Sequence, residues 1–135
     1  MIVVDTSVAV AAALSWHEGH AVARAALPRR KAPLLAQVAV EAYSVLTRLP
    51  PAHRVTPAVA HDYLSRTFRS PPIVLSARGY EALIELAAAV GLAGGSVYDA
   101  LVAATAKEAG ATLLSLDQRA ALEYQRLGTD YRLIG

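Results

Sequence analysis

The chain has 135 residues, 55% of them hydrophobic and 18% charged, with a formal net charge of +2 and no cysteine. That balance excludes a disordered chain, and the missing cysteine excludes a disulfide framework and a thiolate metal site. No apolar run reaches the roughly eighteen residues of a membrane span, and Met1–Val4 lacks the basic start of a signal peptide, so a soluble, cytoplasmic protein forming one domain over residues 1–135 is expected.

Strand and helix patterns alternate along the chain. Ile2–Val4 reads as a buried strand, followed by an apolar helix over Ser7–Leu14 and a second over His17–Leu27, closed by Pro28. The basic run Arg29-Arg30-Lys31 reads as a solvated loop leading to a short strand at Leu34–Ala36. Gln37–Leu49 repeats apolar residues at helical spacing until Pro50-Pro51 stops it. Thr56–Phe68 is a helix begun by a threonine cap and a proline at its first position. Ile73–Leu75 reads as a third strand, Ala77–Val90 as a helix, and Ser96–Ala109 as another, closed by Gly110. Thr112–Leu116 is a fourth strand, Gln118–Arg126 the last helix, and Tyr131–Ile134 an added edge strand. Strands separated by helices predict parallel pairing. The expected fold class is α/β, a three-layer α/β/α sandwich around a parallel sheet of four or five strands.

Four carboxylates stand out against this apolar background. Asp5 and Asp117 each follow a short apolar strand, and the C-terminal ends of parallel strands share one sheet edge, where α/β proteins bind ligands. Glu41 sits three residues after Val38 and four before Val45, on the apolar face of its helix. An inward carboxylate is costly unless paired or ligated. Asp99 lies in the first helical turn of GGSVYDALVAATA. Each has a plainer reading: Asp5 and Asp117 as helix caps, Asp99 as part of a Ser96-x-x-Asp99 capping box, Glu41 as a solvated helix residue. Taken together, clustered carboxylates without cysteine or a histidine pair point to Mg²⁺ or Mn²⁺ rather than zinc. His17 and His20 are read as surface residues.

On the segments MIVVDTS, VEAYSVLTRLP, GGSVYDALVAATAKEAGATLL and SLDQR, in that order, the whole chain resembles the PIN-domain ribonucleases, specifically the VapC-type toxins of bacterial toxin–antitoxin pairs. The resemblance places the family's acidic quartet on Asp5, Glu41, Asp99 and Asp117. Thr6 matches the small hydroxyl residue that supports the first acid, and Ser115 the hydroxyl residue that precedes the last. Some relatives carry a further acid near the fourth position; here Leu116, Gln118 and Arg119 surround Asp117, which leaves one or two metals open.

For such a site, Asp5 and Asp99 are assigned as the main ligands of Mg²⁺ or Mn²⁺, with Asp117 completing or bridging it. Glu41 is assigned to a metal-held water and to general-base work. The resemblance implies RNA cleavage leaving a 5′-phosphate and a 3′-hydroxyl, a cognate VapB-type antitoxin and a homodimer. Eleven of the thirteen basic residues are arginine, whose planar fork suits phosphate. Arg119 is the first candidate for an RNA contact, with Arg48 and Arg54 after it. The helices His17–Leu27 and Thr56–Phe68 are expected to leave apolar surface for a partner. A catalytically inactive RNA- or protein-binding module of the same fold is the alternative. An aspartate-nucleophile phosphohydrolase wants a second acid two residues after the first, where this chain has Ser7. A receiver-type signalling domain wants paired acids after its first strand and a lysine after its last, and the lysines here are Lys31 and Lys107.

Overall fold

The computed structural model describes residues 1–29 and 32–135, so the loop reading of Arg30 and Lys31 lies outside the described residues. In chain order the elements are β1 (Ile2–Val4), α1 (Thr6–Ala13), α2 (His20–Ala26), α3 (Ala36–Thr47), α4 (Pro57–Thr67), α5 (Ala77–Val90), α6 (Ser96–Glu108), β2 (Thr112–Ser115), α7 (Gln118–Arg126) and β3 (Tyr131–Leu133).

The strands pair in parallel in the order β1-β2-β3, with Val4 opposite Leu114 and Leu114 opposite Arg132. Val3, Val4, Leu113 and Leu114 are buried, as expected where helices cover both faces of a parallel sheet. Both α1 and α6 pack on β2; α1 also packs on α2 and α3, and α6 on α5 and α7. Small side chains let these central helices approach closely. Ala9, Ala11 and Ala12 of α1 and Ala100, Ala103 and Ala106 of α6 are all buried.

The α/β class and parallel pairing stand, but the strand number is corrected: among the described residues the sheet has three strands, not four or five. Leu34–Ala36 and Ile73–Leu75 make a single parallel bridge, Leu35 to Ile73. Ile73 N–H donates to the Leu34 carbonyl and Ala36 N–H to the Ile73 carbonyl, both at 2.8 Å. Flanking residues stop the ladder there. Leu35 is already the cap residue of α3, and Pro71 and Pro72 bring no backbone donor to the other side.

Helix ends follow local chemistry. Thr56 accepts from Val59 N–H at 3.3 Å with Pro57 in the first turn of α4, and Ser76 accepts from Gly79 N–H at 3.0 Å to start α5. Gly110, with φ of 67°, takes the left-handed turn after α6. No helix among the described residues is long and apolar enough to cross a membrane.

Apolar surface is exposed on the two expected helices and, more extensively, on α5. Val22 of α2 and Val59 of α4 are exposed, but α5 exposes four large side chains, Tyr80, Ile84, Leu86 and Val90.

Candidate active site

The parallel register decides the placement of the first and last acids. Because β1 and β2 are neighbours, Asp5 and Asp117 leave adjacent strand ends, and Asp5 N–H donates to the Leu114 carbonyl at 3.0 Å. Asp5 caps α1, its Oδ1 accepting from Val8 N–H at 3.2 Å. Asp117 caps α7, its Oδ1 accepting from the backbone N–H of Arg119 at 2.9 Å and of Ala120 at 3.3 Å. The cap reading of both residues is therefore correct. It does not compete with a site, since strand-to-helix joints bring the caps to one sheet edge.

Asp5 is only 3% exposed. Burial pushes its carboxyl above the usual range, opposed by the hydroxyls of Ser115, Ser7 and Tyr124 and by Val8 N–H. Tyr124 donates to Oδ2 at 2.9 Å. Ser7 donates to Oδ1 and accepts from Leu116 N–H at 2.9 Å, joining the ends of the two strands. Ser115 is buried, and its Oγ accepts from Asp117 N–H at 2.9 Å.

Glu41 is half-buried on α3, held from both sides. Thr6 Oγ1 donates to its Oε2 at 2.7 Å, and Gln37 Nε2 donates to its Oε1. The helical phase that pointed this residue inward is correct. Asp99 stands in the first turn of α6, where the capping box does not form. Gly95 occupies the cap position, and Ser96 donates to the Ala93 carbonyl at 2.9 Å. Burial first, then the charges of Asp117, Glu41, Asp5 and Glu123, push the Asp99 carboxyl up to about 6. That repulsion is the electrostatic mark of acids drawn from distant segments into one place.

Thr6, Glu41, Asp99, Asp117 and Arg119 line one cleft of about 690 Å³, with His17 on its wall. Asp5 itself does not line the cleft; it is buried, and its chain neighbours Thr6 and Ser7 line the wall. Among the described residues no three carboxylate or imidazole groups stand as a ready set of metal ligands. Their oxygens are turned instead to internal donors: Asp5 to Ser7, Val8 and Tyr124, Glu41 to Thr6 and Gln37, and Asp117 to the start of α7.

Arg119 is exposed on the cleft, whereas Arg48 lines an adjoining cavity. Arg54 turns back on its own loop, its Nε donating to the Leu49 carbonyl at 2.8 Å. The two histidines are half-buried rather than on the surface, and they diverge. His17 Nδ1 accepts from Gly19 N–H at 2.9 Å, and the His20 ring contacts the Ala11 carbonyl at 2.9 Å.

Sequence patterns missed four participants. Tyr124 continues the buried face Ala120, Ala121 of α7, and a buried phenol needs a partner. Gln37 precedes Glu41 by one helical turn. Ser7 follows Asp5 by two positions. Glu123 is a fifth acid, paired with the Arg126 guanidinium at 3.7 Å; its neighbour Tyr124 faces Asp5.

The PIN domain family model matches residues 2–125. The chain belongs to the PIN-domain family. Ribonuclease VapC40 of Mycobacterium tuberculosis is 48% identical to this PIN domain over 134 residues, 99% of each chain. Ribonuclease VapC27 of the same organism is 41% identical over 127 residues, 94% of this chain and 92% of the relative. Full-length identity of that order places this PIN domain among the VapC-type ribonucleases. Two solved structures share the fold at low identity. FitAB bound to an IR36 DNA fragment matches with a TM-score of 0.71 at 16% identity, covering 98% of this chain and 94% of its own. FitAcB from Neisseria gonorrhoeae matches with a TM-score of 0.66 at 19% identity, covering 97% and 96%.

Proposed function

We propose that this VapC-type PIN domain is a divalent-metal-dependent endoribonuclease whose working residues are Asp5, Glu41, Asp99 and Asp117. One observation carries the reading: three carboxylates from distant segments, Glu41, Asp99 and Asp117, line one open cleft, where burial and the neighbouring acids push Asp99 up to about 6. The donor set fits a hard cation, since it offers carboxylate oxygens and no thiolate. Asp99 and Asp117 would hold Mg²⁺ or Mn²⁺ from the cleft wall together with Asp5, with Ser115 and Thr6 in support. When bound, such an ion activates water and draws charge off the phosphoryl oxygens.

The chain's own residues do the rest. Glu41, fixed by Thr6 and Gln37, takes the proton from the attacking water. Arg119 at the rim pairs with a phosphate oxygen and orients the strand. Tyr124 and Ser7, each donating to one carboxylate oxygen, keep Asp5 in one rotamer. Attack at phosphorus breaks the bond to the 3′ oxygen, leaving a 3′-hydroxyl and a 5′-phosphate.

The same proposal includes a cytoplasmic site of action, a VapB-type antitoxin and a homodimer. The VapC relatives support the antitoxin, and the exposed side chains of α5 are surface that a partner would cover.

The test is cleavage of total RNA by the purified protein with Mg²⁺, with Mn²⁺ and with EDTA, mapping the new 5′ ends. Cleavage should require the metal and vanish in Asp99→Asn. Undiminished cutting in EDTA or by that variant removes the assignment. Binding of RNA with no cutting under any metal favours the inactive module.

A further inference from the structure

Beside the acidic cleft lies a second cavity of about 350 Å³. One wall is a stripe along α3, formed by Gln37, Glu41, Ser44 and Arg48, and Tyr98 of α6 also lines it. Steps of four, three and four residues keep those α3 side chains on one helix face, while Val38, Ala42 and Leu46 are buried in the core. Thr6, Glu41 and Val45 belong to both cavities. A group in the smaller one therefore lies against the carboxylate assigned to the attacking water.

Two of the lining side chains, Tyr98 and Arg48, have no explanation in packing. Tyr98 keeps 58% of its surface exposed, one position before Asp99 and on the open side of α6. Arg48, at the C-terminal cap of α3, is also exposed. A large ring in solvent beside an amide, a hydroxyl and a guanidinium matches the parts of an unpaired nucleotide. A base offers a flat face to the ring and a polar edge to the amide and hydroxyl; its phosphate suits the guanidinium. Gln37 commits one N–H to Glu41, yet the same amide has a second N–H and a carbonyl oxygen.

We propose that this cavity is a nucleotide subsite: the unpaired base beside the scissile phosphate stacks on Tyr98, is read at its edge by Gln37 and Ser44, and passes its outer phosphate to Arg48. This rests on the RNA-cleaving reading above and adds a source of base preference. Contacts to phosphate alone carry none. The order of charge along α3, acidic at Glu41 and basic at Arg48, sets the direction in which the strand leaves the cleft. A cavity of this volume takes a single nucleotide of an unpaired strand.

Two measurements test it. With EDTA present, fluorescence anisotropy reads the binding of short labelled single-stranded oligoribonucleotides, each of one base type. With metal present, mapped 5′ ends read the base preference beside the cut. Tyr98→Ala should weaken binding of the preferred oligonucleotide by about five- to a hundred-fold, the range that base–aromatic stacking supports, and flatten the preference. Tyr98→Phe, which keeps a ring, should restore both. Arg48→Ala should weaken all the oligonucleotides alike and reduce the salt dependence. If Tyr98→Ala cuts RNA with unchanged affinity and preference, the subsite is overturned while the ribonuclease stands. Unchanged RNA behaviour with lost neutralisation by the antitoxin also overturns it, assigning the cavity to the protein partner. A native protein that neither binds nor cuts RNA overturns the ribonuclease reading itself.

Discussion

The Tyr124 hydroxyl donates to Asp5 Oδ2 at 2.9 Å, joining residues 119 positions apart. Tyr124→Phe keeps the ring and removes only that donor. Leaving a buried acceptor without its donor costs about 1–3 kcal/mol. The lost donor stabilised the charged form, so the Asp5 carboxyl, already raised by burial, rises further. Urea unfolding at neutral pH should show the loss of stability, and the acidic limb of the pH–rate profile should move to higher pH. An unmoved limb would separate Tyr124 from the ionisation of Asp5.

Asp99 gives a prediction of opposite sign. Its pKa is raised from 3.8 to about 6, so between those values the folded chain binds a proton more tightly than the unfolded one. The stability this contributes is present at low pH and is lost as pH rises through about 6. Asp99→Asn removes the repelling charge. It should be more stable than the native chain at pH 7, with the difference closing towards about pH 4; because the side chain is about half-exposed, solvent screening keeps the gain small. Cleavage should nevertheless fall by about a hundred-fold or more. Paired urea titrations at the two pH values check the stability, and a timed RNA digest checks the rate.

Metal addition should act against that same repulsion. Mg²⁺ or Mn²⁺ should raise the melting temperature of the native chain at pH 7, and less at about pH 5, where protons compete for Asp99. Asp99→Asn should lose most of the shift. A differential scanning fluorimetry series with and without EDTA measures it. Equal shifts in both proteins would place the ion elsewhere.

Thr6→Val removes the 2.7 Å hydrogen bond that fixes Glu41 Oε2 and keeps nearly the same volume. The expected result is a fall in kcat of about ten-fold with KM little changed. Steady-state rates on one defined RNA substrate give the split. A change confined to KM would make Thr6 a substrate contact instead.

The legible parts of this molecule were those with a local period. Apolar runs located β1 and β2, the run after α7 located β3, and the helical phase of α3 turned Glu41 inward. The shared position of Asp5 and Asp117 after their strands was enough to place both at one edge. Where neighbours decide the outcome, the local pattern failed. Leu34–Ala36 and Ile73–Leu75 have the composition of strands, but a helix start and two prolines cut them to a single bridge. Ser96 has the spacing of a capping box and bonds backwards to Ala93 instead. The supports of Asp5 come from Ser7 and Tyr124, and no local period encodes a contact across 119 residues. Nor did the exposed face of α5 show in its sequence, because a helix pattern does not say which neighbour stops short of covering it.

The first and last acids meet only because β1 lies beside β2 and Tyr124 of α7 reaches Asp5. A ribosome making this chain releases Asp5 well before Leu114 and Tyr124, and at that stage the residue has neither its strand partner nor its buried hydroxyl donor. The proposed cutting centre therefore gains this support for Asp5 only once α7 has left the exit tunnel and docked.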